Sequence, residues 1–145
     1  LMAHPEYLMR FADHAHRHFF HDGAMTPENA VALCWSRALE IDLAIIAESA
    51  RWGDQRPDRT NRPYTKVDWW AEVNGYLLET YFPARTQIVV NQLRVRGLYP
   101  RTDAPEFRVN GVARYGGPIE KTDAVSMSAT GEIWYTTDGS DPRVH

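Results

Sequence analysis

TPENAVALCWSRALEIDLAIIAESARWG, residues 26–53, is the stretch that decides the fold, because it reads as one long helix with both ends marked. Thr26 is a good N-cap, Pro27 suits the first helical position, and Gly53 is placed to close the helix in a left-handed turn. At about 1.5 Å per residue the helix would be roughly 40 Å long. Its apolar face, which predicts the core of a helical unit, consists of Val31, Cys34, Trp35, Ala38, Leu39, Ile41, Ile45, Ile46 and Trp52.

A first helix is predicted from Pro5 to about His21, with Gly23 available to end it. Its core stripe is Leu8, Phe11, Ala12, Ala15 and Phe19. Because the connection to Thr26 is short, we expect the first two helices to pack as a hairpin.

Two further helices follow a polar loop at residues 54–62. Thr65 and Asp68 have the spacing of a capping box that opens the third helix. The pair Phe82–Pro83 predicts the end of the third helix and the start of the fourth, and Gly97 predicts the end of the fourth. The apolar residues of the two helices are Val67, Trp70, Ala71, Leu77, Leu78 and Tyr81, then Ile88, Val89, Val90, Leu93 and Val95.

The composition changes after Pro100 to short extended runs between turns. Residues 124–128 alternate as a strand should, and residues 132–137 have the strongest β propensity in the chain. The predicted fold is therefore mostly α. A four-helix segment, residues 1–100, precedes a short antiparallel β segment, residues 101–145, which is a truncated β-sandwich. Two or three strands cannot close a sandwich. This segment is therefore expected either to pack against the helices or to continue outside the chain.

The overall composition excludes several classes of protein. The net charge of -3 comes without a basic stripe, so we expect no nucleic-acid partner. Cys34 is the one cysteine, and we expect it to be a small buried hydrophobe. No apolar run is long enough to cross a bilayer. The start LMAHPEY is not a signal peptide and is typical of an interior position in a longer protein.

Four motifs together resemble known families. RFADHAHRHFFHDGAMTPENA (10–30), EIDLAIIAESARWGD (40–54) and YFPARTQIVVNQLRVRGLYP (81–100) resemble, in this order, the C-terminal helical part of bacterial CotH-family proteins, the spore-coat-type atypical kinases. GEIWYTTDGSDPR (131–143) resembles the chitobiase/β-hexosaminidase C-terminal module, a fibronectin-III-like sandwich.

The resemblance implies a kinase-like region upstream whose nucleotide-binding and metal-binding segments this chain does not contain. No Gly-rich phosphate loop, HRD-like element, DFG-like element or Walker A motif is present in the sequence. We therefore expect no catalytic, cofactor-binding or metal-binding residue, and we expect the chain not to be an enzyme. The resemblance also implies a secreted or surface location in a bacterium.

Histidines form the most suggestive cluster of polar side chains. The cluster consists of His14, His16, His18 and His21, and three of these, His14, His18 and His21, are spaced to lie on one side of the first helix. Two imidazoles four positions apart can hold a metal ion, but a metal site needs further ligands, so a polar flank that titrates near neutral pH is the simpler interpretation.

Asp42 lies on the apolar face of the long helix and needs a partner. One interpretation is an acid at a functional site. The other is a structural ion pair with an arginine of a neighbouring helix, and the candidates are Arg10, Arg85 and Arg94.

Two tryptophans and two aspartates have alternative interpretations. Trp69 and Trp70 point about 100° apart on a helix, so one is expected to be exposed, as an interdomain contact or a carbohydrate platform. Asp138 and Asp141 are too few for a calcium loop, so turn stabilisation is the default.

Three functions compete. The leading hypothesis is a non-catalytic structural and interaction segment of a larger CotH-like protein, with other domains of that protein as partners and self-association through the β edge as a further possibility. The alternative is a carbohydrate-binding or adhesion module that uses exposed tryptophans and the β segment. The third is a small metal-dependent enzyme that uses the histidines.

Overall fold

A computed structural model describes residues 4–55 and 61–143 of the chain. The chain divides into two compact units, residues 1–99 and 100–145, next to the composition change at Pro100. The first unit is helical and the second contains a small antiparallel sheet. The predicted fold class, mostly α followed by a short antiparallel β segment, is confirmed. Residues 56–60 of the predicted loop lie outside the described residues.

The helices of the first unit are α1 Pro5–Phe19, α2 Pro27–Trp52, α3 Lys66–Glu72 and α4 Phe82–Val95. A 3₁₀ turn, Gly53–Gln55, follows α2, and a π-helical segment, Val73–Tyr81, joins α3 to α4 without a break. The predicted boundary at Phe82–Pro83 is therefore a change of helix type and not an interruption. The Phe82 N–H donates to the Leu77 carbonyl, and Pro83 has no N–H, so the hydrogen-bond spacing changes where one donor is missing.

The end of α4 is a Schellman motif, as its sequence predicts. Gly97 has φ +68, its N–H donates to the Arg94 carbonyl at 3.1 Å, and the Leu98 N–H donates to the Leu93 carbonyl at 2.9 Å. These two bonds satisfy carbonyls that a helix end leaves unpaired. The same motif places Leu98 in the interior.

The start of α3 is the predicted capping box. The Asp68 N–H donates to Thr65 Oγ1 at 3.5 Å, and the Thr65 N–H donates to Asp68 Oδ2 at 2.7 Å. Arg62 also donates to this carboxylate. The hydrogen bonds from Thr65 and then from Arg62 lower the pKa of Asp68 to about 2.

Two glycines at helix ends are required because the backbone of another segment approaches them closely, and not because they form left-handed turns. Gly53 has right-handed helical angles, φ -58 and ψ -34, but a Cβ there would collide with the Tyr64 carbonyl oxygen. A Cβ on Gly23 would lie 2.5 Å from the carbonyl oxygens of Arg17 and His18. The left-handed residue after α1 is His21, with φ 59, so neither glycine supplies the predicted left-handed turn.

The core of the helical unit joins α1 to α4. Its buried members are Ala15, Val90 and Tyr99, and the half-buried members are Phe11, Ala12, Phe19, Phe20 and Leu93. Val90 is 2% exposed. The α2 backbone lies along α4, the π-helical segment and α3 rather than along α1, so the hairpin predicted for the first two helices is wrong.

The predicted apolar face of α2 is broader than the face that the structure covers. Val31, Cys34, Ala38 and Ile45 are buried or half-buried. The other predicted members are exposed, namely Trp35, Leu39, Ile41, Ile46 and Trp52. Leu43, at 77%, is exposed beside them. The long helix therefore contributes one narrow row to the interior and leaves a second apolar row in solvent.

The second unit is a three-stranded antiparallel sheet. Its strands are β1 Glu106–Val109, β2 Val112–Ala113 and β3 Val125–Ser128, in the order β2-β1-β3. Asn110 and Gly111 connect β1 to β2 with φ 50 and 81, which is the two-residue turn with positive φ that hairpins favour. The Asn110 side chain also donates to Asp123 at 2.8 Å and accepts from the Ala124 N–H at 2.9 Å.

The sheet has one apolar face. Phe107 pairs with Met127 and Val109 pairs with Val125, while Arg108 and Ser126 point to the other face. None of the described residues of this unit is fully buried. Residues 132–137 form no strand in the described part of the chain, so that prediction is wrong. Their β propensity lacks a neighbouring strand to supply ladder hydrogen bonds.

Candidate functional site

Asp42 is the centre of a polar cluster that joins α2 to α3. Lys66 Nζ donates to Asp42 Oδ2 at 2.7 Å, and Trp70 Nε1 donates to Asp42 Oδ1 at 2.8 Å. Lys66 and Trp70 are one turn apart on α3, so both reach the same carboxylate. The hydrogen bonds from Lys66 and then from Trp70 hold the pKa of Asp42 below its ordinary value of 3.8.

The arginines proposed as partners of Asp42 lie elsewhere. Arg10 pairs with Glu6 on its own helix at 2.7 Å. Arg85 lies over the Tyr81 ring and Arg94 over the Tyr99 ring. Asp42 does form an ion pair, as one interpretation predicted, but its partner is Lys66 and not an arginine. The available signal was the capping box, which sets the start of α3 and so places Lys66 and Trp70 on one face.

Trp70 also belongs to a cluster of three tryptophan rings. The rings of Trp69 and Trp70 are 4.8 Å apart, and those of Trp35 and Trp70 are 5.5 Å apart. Trp69 and Trp70 are both half-buried, so neither is the exposed member that the sequence predicts. Of the three, Trp35 on α2 is the exposed ring.

The chemistry of the Asp42 cluster is that of a structural contact. Both carboxylate oxygens accept a hydrogen bond, and the lowered pKa keeps the group charged at neutral pH. A general acid or base works best with a pKa near the pH at which it acts, and the shift here is in the opposite direction. The cluster therefore joins α2 to α3 as a charged, hydrogen-bonded pair.

The second polar cluster is built on His16. Its Nδ1 is 2.6 Å from Tyr99 Oη, and its ring stacks on Phe20 at 4.6 Å and meets His21 edge-on at 5.4 Å. Burial and then the charge of His21 lower the pKa of His16, and Asp13 opposes them. The sequence did not separate His16 from the other histidines, although its place one position after Ala15 puts it at the border of the core stripe.

The structure does not gather the predicted histidines into a metal centre. His14 and His18 are exposed on α1, and His21 lies against the His16 ring. Within residues 4–55 and 61–143, no three His, Cys, Asp or Glu side chains are arranged to hold a metal ion.

The remaining candidate residues have local roles. Asp138 accepts hydrogen bonds from the Ser140 N–H at 3.0 Å and the Ser140 hydroxyl at 2.6 Å, which lower its pKa. Asp141 pairs with Arg143. Both contacts stabilise the turn. Cys34 is half-buried on the inner side of α2 and not fully buried as predicted.

Among the helices of the described residues, none combines the length and the hydrophobicity that a bilayer-spanning segment requires. Comparison with family models, curated proteins and solved structures finds no match to this chain.

Proposed function

We propose that this chain is a structural and interaction segment of a larger protein rather than a catalytic unit. One observation carries the proposal, namely the second apolar row of α2, which is exposed at Trp35, Leu39, Leu43 and Ile46. These positions recur at three- and four-residue spacing, so they form one continuous stripe. Contiguous exposed apolar side chains of this kind mark surfaces that bind other protein surfaces.

The larger protein is proposed to be CotH-like, with a kinase-like region before this chain and a fibronectin-III-like sandwich after it. The four motifs that carry the resemblance support this proposal, and so does the amphipathic sheet of the second unit. Its apolar face, with Phe107, Val112 and Val125 exposed, has the pattern of one inner face of a two-sheet sandwich. A secreted or surface location in a bacterium belongs to the same proposal.

Isothermal titration calorimetry with Mg-ATP tests the non-catalytic part of the proposal. We expect no heat of binding from the purified chain. Binding with a dissociation constant of about 1–10 μM would overturn it, because a kinase-like nucleotide site would then be present in this segment. The coding sequence on both sides of the chain tests the family, since the nucleotide-binding lysine and the metal-binding aspartates of a kinase-like region should precede it.

A carbohydrate-binding or adhesion module is the second candidate, and the exposure of Trp134, 63%, favours it. An exposed indole offers a flat apolar surface with a hydrogen-bond donor at its edge. A glycan-array signal that is lost in Trp134→Ala but kept in Trp52→Ala, another exposed tryptophan, would support this function over the first.

A further inference from the structure

The π-helical segment changes which face of the long α3–α4 rod points inward. In α3 and the first part of the π-helical segment, Lys66, Trp70, Val73 and Leu77 are covered positions at steps of three and four, with Trp69 and Leu78 half-buried beside them. In α4 the covered positions include Phe82, Thr86, Val89, Val90 and Leu93. The step from Leu77 to Phe82 is five positions, which matches the hydrogen-bond spacing of a π-helix.

This change of phase moves a second apolar stripe of α4 into solvent. An uninterrupted α-helix would carry the covered face of α3 on to Tyr81, Ala84, Ile88 and Val95, all of which are exposed. Ile88 is 44% exposed and Val95 is 83% exposed. They flank a shallow groove of about 360 Å³, which is lined by Ile88, Asn91, Gln92, Val95 and Arg96.

The charged side chains of α4 and of the turn that follows it are all arginines. Residues 80–102 contain arginines and no Asp or Glu. Arg85 and Arg96 lie on the same side of the Ile88–Val95 stripe, about 60–80° around the helix and about 16 Å apart along it. Arg94 is on the far side, over the Tyr99 ring at 5.6 Å.

We propose that the Ile88–Val95 face of α4 binds an acidic amphipathic helix of another polypeptide. Ile88 and Val95 are two turns apart, which is the spacing of anchors when one helix lies along another. Arg85 and Arg96 would meet carboxylates about three turns apart on one flank of the partner. Such charges select the partner and its direction more than they add affinity. The residues of this surface differ from those of the exposed row of α2, so its test is independent of the proposed function.

The probe is a synthetic helical peptide of about 18 residues, with leucines along one face and glutamates along one flank at positions three turns apart. Its fluorescence anisotropy is measured with the full chain and with Val95→Asp. We expect saturable binding that Val95→Asp weakens at least tenfold and that about 0.5 M NaCl also weakens. Val67→Asp is the matched control, because it makes the same substitution at an exposed valine of α3, outside the residues that line the groove, and should leave binding unchanged.

Two further peptides test the charge requirement. We expect the version with glutamine in place of glutamate to bind about fivefold more weakly, since two exposed ion pairs are lost, and the lysine version more weakly still. Equal binding of the glutamate and lysine peptides would overturn the proposal, as would no binding at about 1 mM peptide. Sedimentation of the chain alone is the last arm. A dimer that Val95→Asp dissociates would assign this face to a second copy and reject the proposal.

Discussion

His16 and Tyr99, which are 83 positions apart, are joined by a 2.6 Å hydrogen bond between imidazole Nδ1 and phenol Oη. Their rings are 6.3 Å apart and nearly parallel, and Tyr99 also stacks on Phe20. Tyr99 is the last residue of the helical unit, so this contact fixes its end to α1.

Removing the phenol hydroxyl should therefore destabilise the helical unit. Tyr99→Phe leaves the ring stacking in place but leaves His16 Nδ1 without this partner. We expect the free energy of unfolding, measured by urea denaturation, to fall by about 1 kcal/mol. Tyr135→Phe, at an exposed position in the other unit, is the control and should leave that free energy unchanged. An unaltered Tyr99→Phe midpoint would contradict the structural role of the bond.

The environment of His16 predicts a loss of stability at mildly acidic pH. Its pKa is lowered by burial and by His21 from the ordinary value of 6.5. The unfolded chain therefore takes up the proton first as the pH falls through 6.5, and folded-state stability that is complete above this pH declines below it. We expect the wild-type chain to lose more stability between about pH 7.5 and 5.5 than His16→Gln does. Equal losses in the two proteins would show that His16 is not the group responsible.

Local signals in the sequence predicted several of the helix boundaries. The capping box at Thr65, the prolines at the starts of α1 and α2, and the Schellman glycine at Gly97 act within one turn, so sequence spacing alone specifies them. The Asp42 pair needed tertiary information. The partner of Asp42 depends on the packing of α3 along α2. This packing cannot be predicted from the apolar pattern of either helix.

The sequence contains a signal for the π-helical segment that the sequence analysis did not use. The predicted apolar residues of the third helix, such as Trp70 and Leu77, are out of phase with Val90 and Leu93 of the fourth. The sequence analysis predicted a helix boundary from Phe82–Pro83 alone, whereas the structure has a continuous helix that contains a π-helical segment. Residues 132–137 show the opposite error, because strong β propensity does not make a strand without a neighbouring one.

The two glycines Gly53 and Gly75 should respond in opposite directions to alanine. Gly53 begins the 3₁₀ turn after α2, and Gly75 lies in the π-helical segment. Gly75 has open space where a Cβ would lie. A Cβ on Gly53 collides with the Tyr64 carbonyl oxygen, whose residue also donates its N–H to the Gly53 carbonyl at 2.9 Å. We expect Gly53→Ala to lower the free energy of unfolding by about 1–3 kcal/mol, and Gly75→Ala to raise it by about 0.5–1 kcal/mol. Chemical denaturation measures both, and destabilisation by Gly75→Ala would contradict the open space.

The Asp42–Lys66 pair should behave as a coupled unit. Asp42→Asn and Lys66→Met each remove one charge, so each is expected to lower the urea midpoint. The double variant should lose less than the two single effects added together. Since the pKa of Asp42 lies below its ordinary value of 3.8, its contribution is present above that pH and is lost as the pH falls below it. Additive effects in the cycle would contradict the pairing.

The last prediction concerns single-residue deletions in the π-helical segment and in α4. Removing Glu79, an exposed residue between Leu77 and Phe82, shortens the five-position step to four. The covered positions of α3 and α4 then share one α-helical phase, so the rod can continue as an ordinary α-helix. We expect the Glu79 deletion to retain helicity and a cooperative thermal transition by circular dichroism. Deletion of Gln87, also exposed, is the matched comparison. It rotates Val90 and Leu93 out of the core by about 100° and should cost about 2–5 kcal/mol, as the loss of buried aliphatic side chains does. If the two deletions were equally damaging, the extra residue in the π-helical segment would not be what sets the phase of α4.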